Sequence, residues 1–225
     1  MKMHSFIPLI FLCAGIGLST AEIIPAMAGF GLFAFGTIIG LAMALLTYFG
    51  LLPGDHTYPK AFYILTLLPL LFAVPILIHD LSHPLINDVS TDSKNPPEFV
   101  AARNVPSNVK RDMTYPEKNK AIVRNRYIEI RPLVVEQFPE ETFKRAYELA
   151  GSQSGWEITH SDSEQGVIEG EVTTFFFHFV DDFIIRISTV DGHTRVDMRS
   201  KSRDGLIDAG ADAQRIETFL KELAQ

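Results

Sequence analysis

Apolar positions fall into two regimes along the chain. From Phe6 to Ile78 they form long, nearly unbroken stretches, and after Leu85 they alternate with polar residues in short segments. Nineteen residues without a formal charge separate Lys2 from Glu22, 32 separate Glu22 from Asp55, and 18 separate Lys60 from His79. A helix needs about 20 apolar residues to cross roughly 30 Å of hydrocarbon. The second stretch meets that length. The third is short and holds Pro69 and Pro75, which should kink it. The first reads in two ways. Lys2, an apolar run and Ser19-Thr20-Ala21 before Glu22 have the form of a signal peptide; the other reading is a retained first span. The expectation is a membrane domain over residues 1–85 with two or three transmembrane helices. Gly36 and Gly40 set small residues on one helix face. They suit packing against the neighbouring spans or, in a second reading, self-association or contact with a membrane protein partner.

Residues 86–225 read as a soluble α+β domain that opens with an extended, proline-rich arm over 86–122, where Pro96, Pro97, Pro106 and Pro116 interrupt any period. Tyr127 to Glu136 suits an extended edge segment. Pro139 opens a helix in which Phe143, Ala146, Tyr147 and Ala150 share a face. Trp156 to Thr159 starts a strand, Gln165-Gly166 forms a turn, and Val167 to Val180 reads as one long strand with a bulge at Gly170. Asp191-Gly192 is a two-residue hairpin turn. Pairing Val190 with His193 places Phe183, Ile185 and Ile187 on one face with Ser200, Met198 and Val196, and sets Arg186 opposite Asp197 as a structural ion pair. A last helix is expected from about Ala209 to Leu223, capped by Asp208, with Ala209, Ala213, Ile216, Leu220 and Leu223 inward. The fold class is α+β: N-terminal transmembrane helices, then an antiparallel sheet with two helices packed on one face.

Charge sharpens the partition. Of 20 Lys and Arg and 27 Asp and Glu, five lie in the first 85 residues. A net charge of −7 argues against a nucleic-acid partner, whose phosphates attract a basic face. The mean hydropathy of +0.14 fits a chain in contact with the lipid bilayer. A single cysteine, Cys13, excludes a disulfide scaffold. Lys60 lies in the short loop that the positive-inside rule assigns to the cytoplasm, with Glu22 on the other side. The expected location is a bacterial inner membrane with the C-terminal domain in the periplasm or otherwise outside.

The candidate chemistry concentrates near the end of the chain. Arg199, Ser200, Ser202, Arg203, Asp208 and Arg215 surround the expected start of the last helix, where serines and arginines suit an anion. A charge-paired network that clamps this helix to the sheet uses the same residues. No nucleophile motif, zinc-helix motif or phosphate loop occurs. Ser200 falls on the apolar face, away from His193 near the hairpin turn, so a catalytic triad is not expected. No catalytic residue, metal site or cofactor is assigned.

Two stretches carry a resemblance. The first is Ile86-Asn87-Asp88-Val89-Ser90-Thr91-Asp92 followed by Asn95-Pro96-Pro97-Glu98-Phe99; the second runs from Asp181 to Arg186 and from Val196 through Asp197-Met198-Arg199-Ser200-Lys201-Ser202-Arg203-Asp204-Gly205 to Asp208-Ala209-Gly210-Ala211-Asp212-Ala213-Gln214-Arg215-Ile216. From about Ile86 onward the chain resembles the uncharacterised membrane-protein family catalogued as domain of unknown function number 1499. By that resemblance Lys201 stands where a small residue is usual and Asp212 where Asn is usual. The resemblance implies a membrane-anchored domain and supplies no activity. The expected function is therefore a non-enzymatic, membrane-anchored extracytoplasmic binding or structural module that recognises an anionic ligand or lipid head group. The alternative is a membrane-surface hydrolase or metal-dependent enzyme that uses the Ser/Asp/Arg cluster.

Overall fold

A computed structural model describes residues 6–51, 59–205 and 208–225. Lys2 and Asp55, which bound the first two apolar stretches, lie outside the described residues. The chain divides into two compact units: Met1–Ser82 with Phe175–His178, and His83–Thr174 with Phe179–Gln225.

The first unit is built on α1 (Ile7–Thr20), α2 (Ala26–Tyr48) and α3 (Lys60–Ser82). Among the described residues, α2 alone is long and apolar enough to cross a membrane, with a mean hydropathy of 2.1. At 1.5 Å per residue, the 14 residues of α1 reach only about 21 Å. The third helix runs through Pro69 and Pro75 to Ser82 as one α-helix. Absent side chains let the helices approach. A Cβ on Gly40 would lie 2.0 Å from the Thr66 carbonyl oxygen, and one on Gly36 would lie 2.7 Å from Cβ of Phe11. The face that carries Gly36 and Gly40 is thus occupied within the chain, and self-association there would displace α1 and α3.

The second unit contains β1 (Asp88–Ser90), α4 (Glu117–Arg126), β2 (Leu133–Val135), α5 (Pro139–Ser152), β3 (Trp156–Asp162), β4 (Val167–Thr173), β5 (Val180–Val190), β6 (His193–Ser202) and α6 (Ala211–Leu223). The sheet is antiparallel, in the order β1-β6-β5-β4-β3, and β2 also pairs with β6. The two short strands lie along the same edge of β6, β1 against Arg199–Lys201 and β2 against Thr194–Val196. They cover donors and acceptors that would otherwise face water. The β5–β6 register is the one set by the Asp191-Gly192 turn, with Val190 opposite His193, Phe183 opposite Ser200 and Arg186 opposite Asp197.

Period-two alternation gives the sheet two different faces. Phe183, Ile185, Val196 and Met198 meet Ala146 and Ala150 of α5 and Ala213, Ile216 and Phe219 of α6 in the main core. Trp156 stacks on Phe219 at 5.5 Å and lies 4.5 Å from Phe183. On the opposite face Ile184 joins Phe99, Ala102 and Met113 of the arm in a smaller cluster.

Four expectations change. The arm is not extended throughout, since it contains β1, a 3-10 turn at Ala102–Asn104 and the start of α4. The apolar run after Gly170 is not one strand: β4 ends at Thr173 and β5 starts at Val180. Between them Thr174 closes a turn, its N–H donating to Phe179 O and its hydroxyl accepting from the Phe179 N–H, both at 2.9 Å. The irregularity in the ladder falls on β3 rather than at Gly170, between Ile158 and His160. Gly170 is instead a close approach, where a Cβ would lie 2.3 Å from the Glu157 carbonyl oxygen and 2.5 Å from the Phe183 ring. Finally, α6 begins at Ala211 after Gly210 in a left-handed conformation, not at Ala209. Asp208 still serves the helix start, accepting from the N–H groups of Gly210 at 3.1 Å and Asp212 at 2.8 Å.

Candidate functional site

The residues expected to form one cluster separate onto the two sheet faces. Arg199 and Arg203 point to the arm, Ser200 and Arg215 meet on the helix side, and Asp208 caps α6. The cause is local: in an extended chain, neighbours in sequence point in opposite directions.

On the arm side, Arg199 is 1 % exposed. Its Nε and Nη2 donate to the two oxygens of Asp88 at 2.9 and 2.8 Å, a bidentate pair. Nη1 donates to Pro97 O at 3.1 Å and Nη2 to Met113 O at 2.9 Å. The guanidinium lies 4.8 Å from the Phe99 ring centroid and 5.2 Å from that of Tyr115, within cation–π range. Lys201 adds a second cation, its Nζ 3.0 Å from Asp88 Oδ2. One β6 side chain therefore pins β1, two arm carbonyls and two arm rings to the sheet. Burial pushes the Tyr115 hydroxyl well above the ordinary tyrosine range.

Two further ionic groups flank this pin. Arg203 donates to both oxygens of Asp182, from Nε at 3.1 Å and from Nη2 at 2.6 Å, and also to Glu171. Burial opposes its charge, and the hydrogen bonds to Asp182 and Glu171 outweigh burial and raise its pKa. Asn108 of the arm donates to Asp182 at 2.9 Å. At the other end Asp197 accepts from Arg186 at 2.9 Å and from Arg195 at 3.0 Å, while Asp92 accepts from Arg195 at 2.7 Å. Glu169, buried in the same face, accepts the backbone N–H groups of Val100, Ala101 and Ala102 at 2.6 to 3.0 Å.

On the helix side Arg215 donates to Asp181, to Asp212 at 2.8 Å and to the Ser200 hydroxyl at 2.6 Å. Asp212 is fully buried. Burial raises its pKa well above the ordinary aspartate value, and the charges of Asp181 and Asp208 add to the effect, against Arg215. The Tyr127 hydroxyl is pushed up to about 12 by burial and by Asp208 and Asp212.

Ser202 is buried, its backbone N–H donating to Asn87 O at 3.0 Å. His193 is paired with Glu136 at 3.4 Å by the hairpin turn. Among the described residues no group of three or more His, Cys, Asp or Glu side chains is arranged to hold a metal ion.

From β1 to α6 the chain matches a family model described as Protein of unknown function (DUF1499), over residues 88–223. The chain belongs to this family. The family match begins at the first residue of β1 and ends at the last residue of α6, so it takes in every strand and the acidic partners of all three arginines. No curated protein matches the chain.

Sequence reasoning missed Asp88, Asp92, Glu169, Glu171 and the arm carbonyls as partners. Asp88 and Arg199 are 111 positions apart, and no local spacing links them. The one available signal was the excess of acids in segments that otherwise read as strand or arm.

Proposed function

We propose that this protein is a membrane-anchored, non-enzymatic structural or binding module, held at a bacterial inner membrane with its α+β unit outside the cytoplasm. The observation that carries the non-enzymatic reading is the closure of the ionic groups upon themselves. Arg199, Arg203 and Arg215 each meet carboxylates of the same chain. A buried arginine so paired serves to fix the geometry of its neighbours, and an external anion would have to displace a carboxylate. An anionic ligand or lipid head group would reach Arg203 first, whose side chain is 12 % exposed against 1 % for Arg199. The hydrolase alternative gains no support from the serines, since Ser200 is held by Arg215 and Ser202 is buried in the ladder.

The anchoring reading rests on the length and hydropathy of α2, and the orientation on Glu22 and Lys60 at opposite ends of it, with the 23 residues of α3 crossing back to the Glu22 side. Reporters fused after Gln225 test it in intact cells. A phosphatase that matures only outside the cytoplasm should be active there and a cytoplasmic fluorescent reporter dark; the reverse pattern would overturn the orientation.

A further inference from the structure

Phe175, Phe176 and Phe177 sit in the turn between β4 and β5, yet they belong to the compact unit of the three apolar helices. The Phe177 ring packs edge-on against Phe30 at 5.6 Å and lies 5.8 Å from Phe33. The Phe176 carbonyl accepts the Thr20 hydroxyl at 2.9 Å, at the last residue of α1. Phe175 is 84 % exposed and Phe176 55 % exposed, and their rings make an edge-to-face pair at 5.3 Å. Two adjacent exposed rings are unusual on a surface that meets only water.

Their depth along α2 identifies what covers them. Phe30 and Phe33 lie four and seven residues beyond Ala26, the first residue of α2. At 1.5 Å per residue, Phe177 therefore touches α2 about 6 to 10 Å below its start. The 23 residues of α2 measure about 35 Å, some 5 Å more than the hydrocarbon layer. A helix of that length leaves about 2 to 3 Å outside the hydrocarbon at each end if centred. Phe177 thus falls within the outer edge of the lipid, and Phe175 and Phe176, next to it in the same turn, lie at that edge.

We propose that Phe175-Phe176-Phe177 is an aromatic finger inserted into the lipid at the end of α2, with Phe177 seated on the helix and Phe175 and Phe176 facing acyl chains. The proposal rests on the reading of α2 as a membrane span. It gives the β4–β5 turn a role that its place in a sheet does not require, as a second lipid anchor for the chain.

Nitroxide labels on the full chain in phosphatidylcholine vesicles separate the two readings. Cys13, the one cysteine, is first replaced by alanine. Labels are then placed singly through Phe175→Cys, Ile38→Cys in the middle of α2, and Asp191→Cys in the hairpin turn. Collision with oxygen, which enriches in hydrocarbon, is compared with collision with a water-soluble nickel chelate. Oxygen should dominate at 175 and at 38, and nickel at 191. Nickel dominating at 175 while oxygen dominates at 38 would overturn the finger alone. Protection of 175 from both, as beneath a protein partner, would also overturn it. Nickel dominating at 38 would remove the membrane span and the finger with it.

Discussion

Replacing Asp88 with alanine lowers the stability of the α+β unit by about 3–5 kcal/mol, the cost of leaving buried charge without its partner. Asp88 is 0 % exposed, and its two oxygens serve both Arg199 and Lys201. Without it two buried cations face each other in the same space. A buried ion pair is weak grounds for net stability, because desolvation offsets attraction. The one-sided deletion is different, since the desolvation cost stays and the attraction goes. Arg199→Ala is the milder change, because Lys201 still neutralises Asp88. It nevertheless strands the carbonyls of Pro97 and Met113 and empties the space between Phe99 and Tyr115. Urea unfolding of the full chain checks the ranking through the emission of Trp156, the only tryptophan, which is stacked in the main core. Midpoints unchanged in both variants would show that the pin does not hold the arm.

Asp212→Asn stabilises the unit, and the gain depends on pH. The folded chain holds the Asp212 carboxyl with its pKa raised by burial and by Asp181 and Asp208, whereas an unfolded chain has about 3.9. The folded state therefore binds the Asp212 proton more tightly. Its contribution is fully favourable below the unfolded value and is lost as pH rises towards the folded one. An amide keeps an acceptor for Arg215 and carries no proton to lose. At pH 3 the variant and the wild type should melt together. At pH 7 the variant should melt higher by roughly 3 °C, the shift that about 1 kcal/mol gives in a domain of this size. An equal gain at both pH values, or a loss at pH 7, would show that Asp212 is ionised in the folded protein.

Both variants probe contacts that the sequence did not reveal, while much of their framework was legible. The Asp191-Gly192 turn fixed the β5–β6 register by counting, and the register in turn set Arg186 across from Asp197. The two amphipathic helices were visible because Ala146 and Ala150, and Ala213, Ile216 and Leu220, recur at helical spacing. By contrast α4, Glu-Lys-Asn-Lys-Ala-Ile-Val-Arg-Asn-Arg, buries only Asn119 and Val123, so its apolar stripe is too thin to stand out. A strand of three residues such as β1 offers no alternation to detect, whereas β2 lies within the stretch Tyr127 to Glu136 that reads as an extended edge segment. The Phe175–Phe177 run has strong strand propensity, and its turn is fixed by Thr174 and by contacts that only the folded chain makes. The expected cluster from Arg199 to Arg215 failed as a single site because proximity along a strand does not place side chains on one face. Lys201 and Asp212, the two departures suggested by the resemblance, are both buried members of the ionic groups.

The arginines are committed to the protein's own carboxylates, and ligand linkage is a sharp test of that commitment. A ligand that binds only the folded state raises the melting midpoint in proportion to the logarithm of its concentration above Kd. The midpoint of the full chain, followed through Trp156, should be the same in inorganic phosphate as in chloride of equal ionic strength. A rise specific to phosphate that saturates at low millimolar concentration, where general salt effects are small, and that disappears in Arg203→Ala would restore an anion site at Arg203 and show that its carboxylate partners can be displaced.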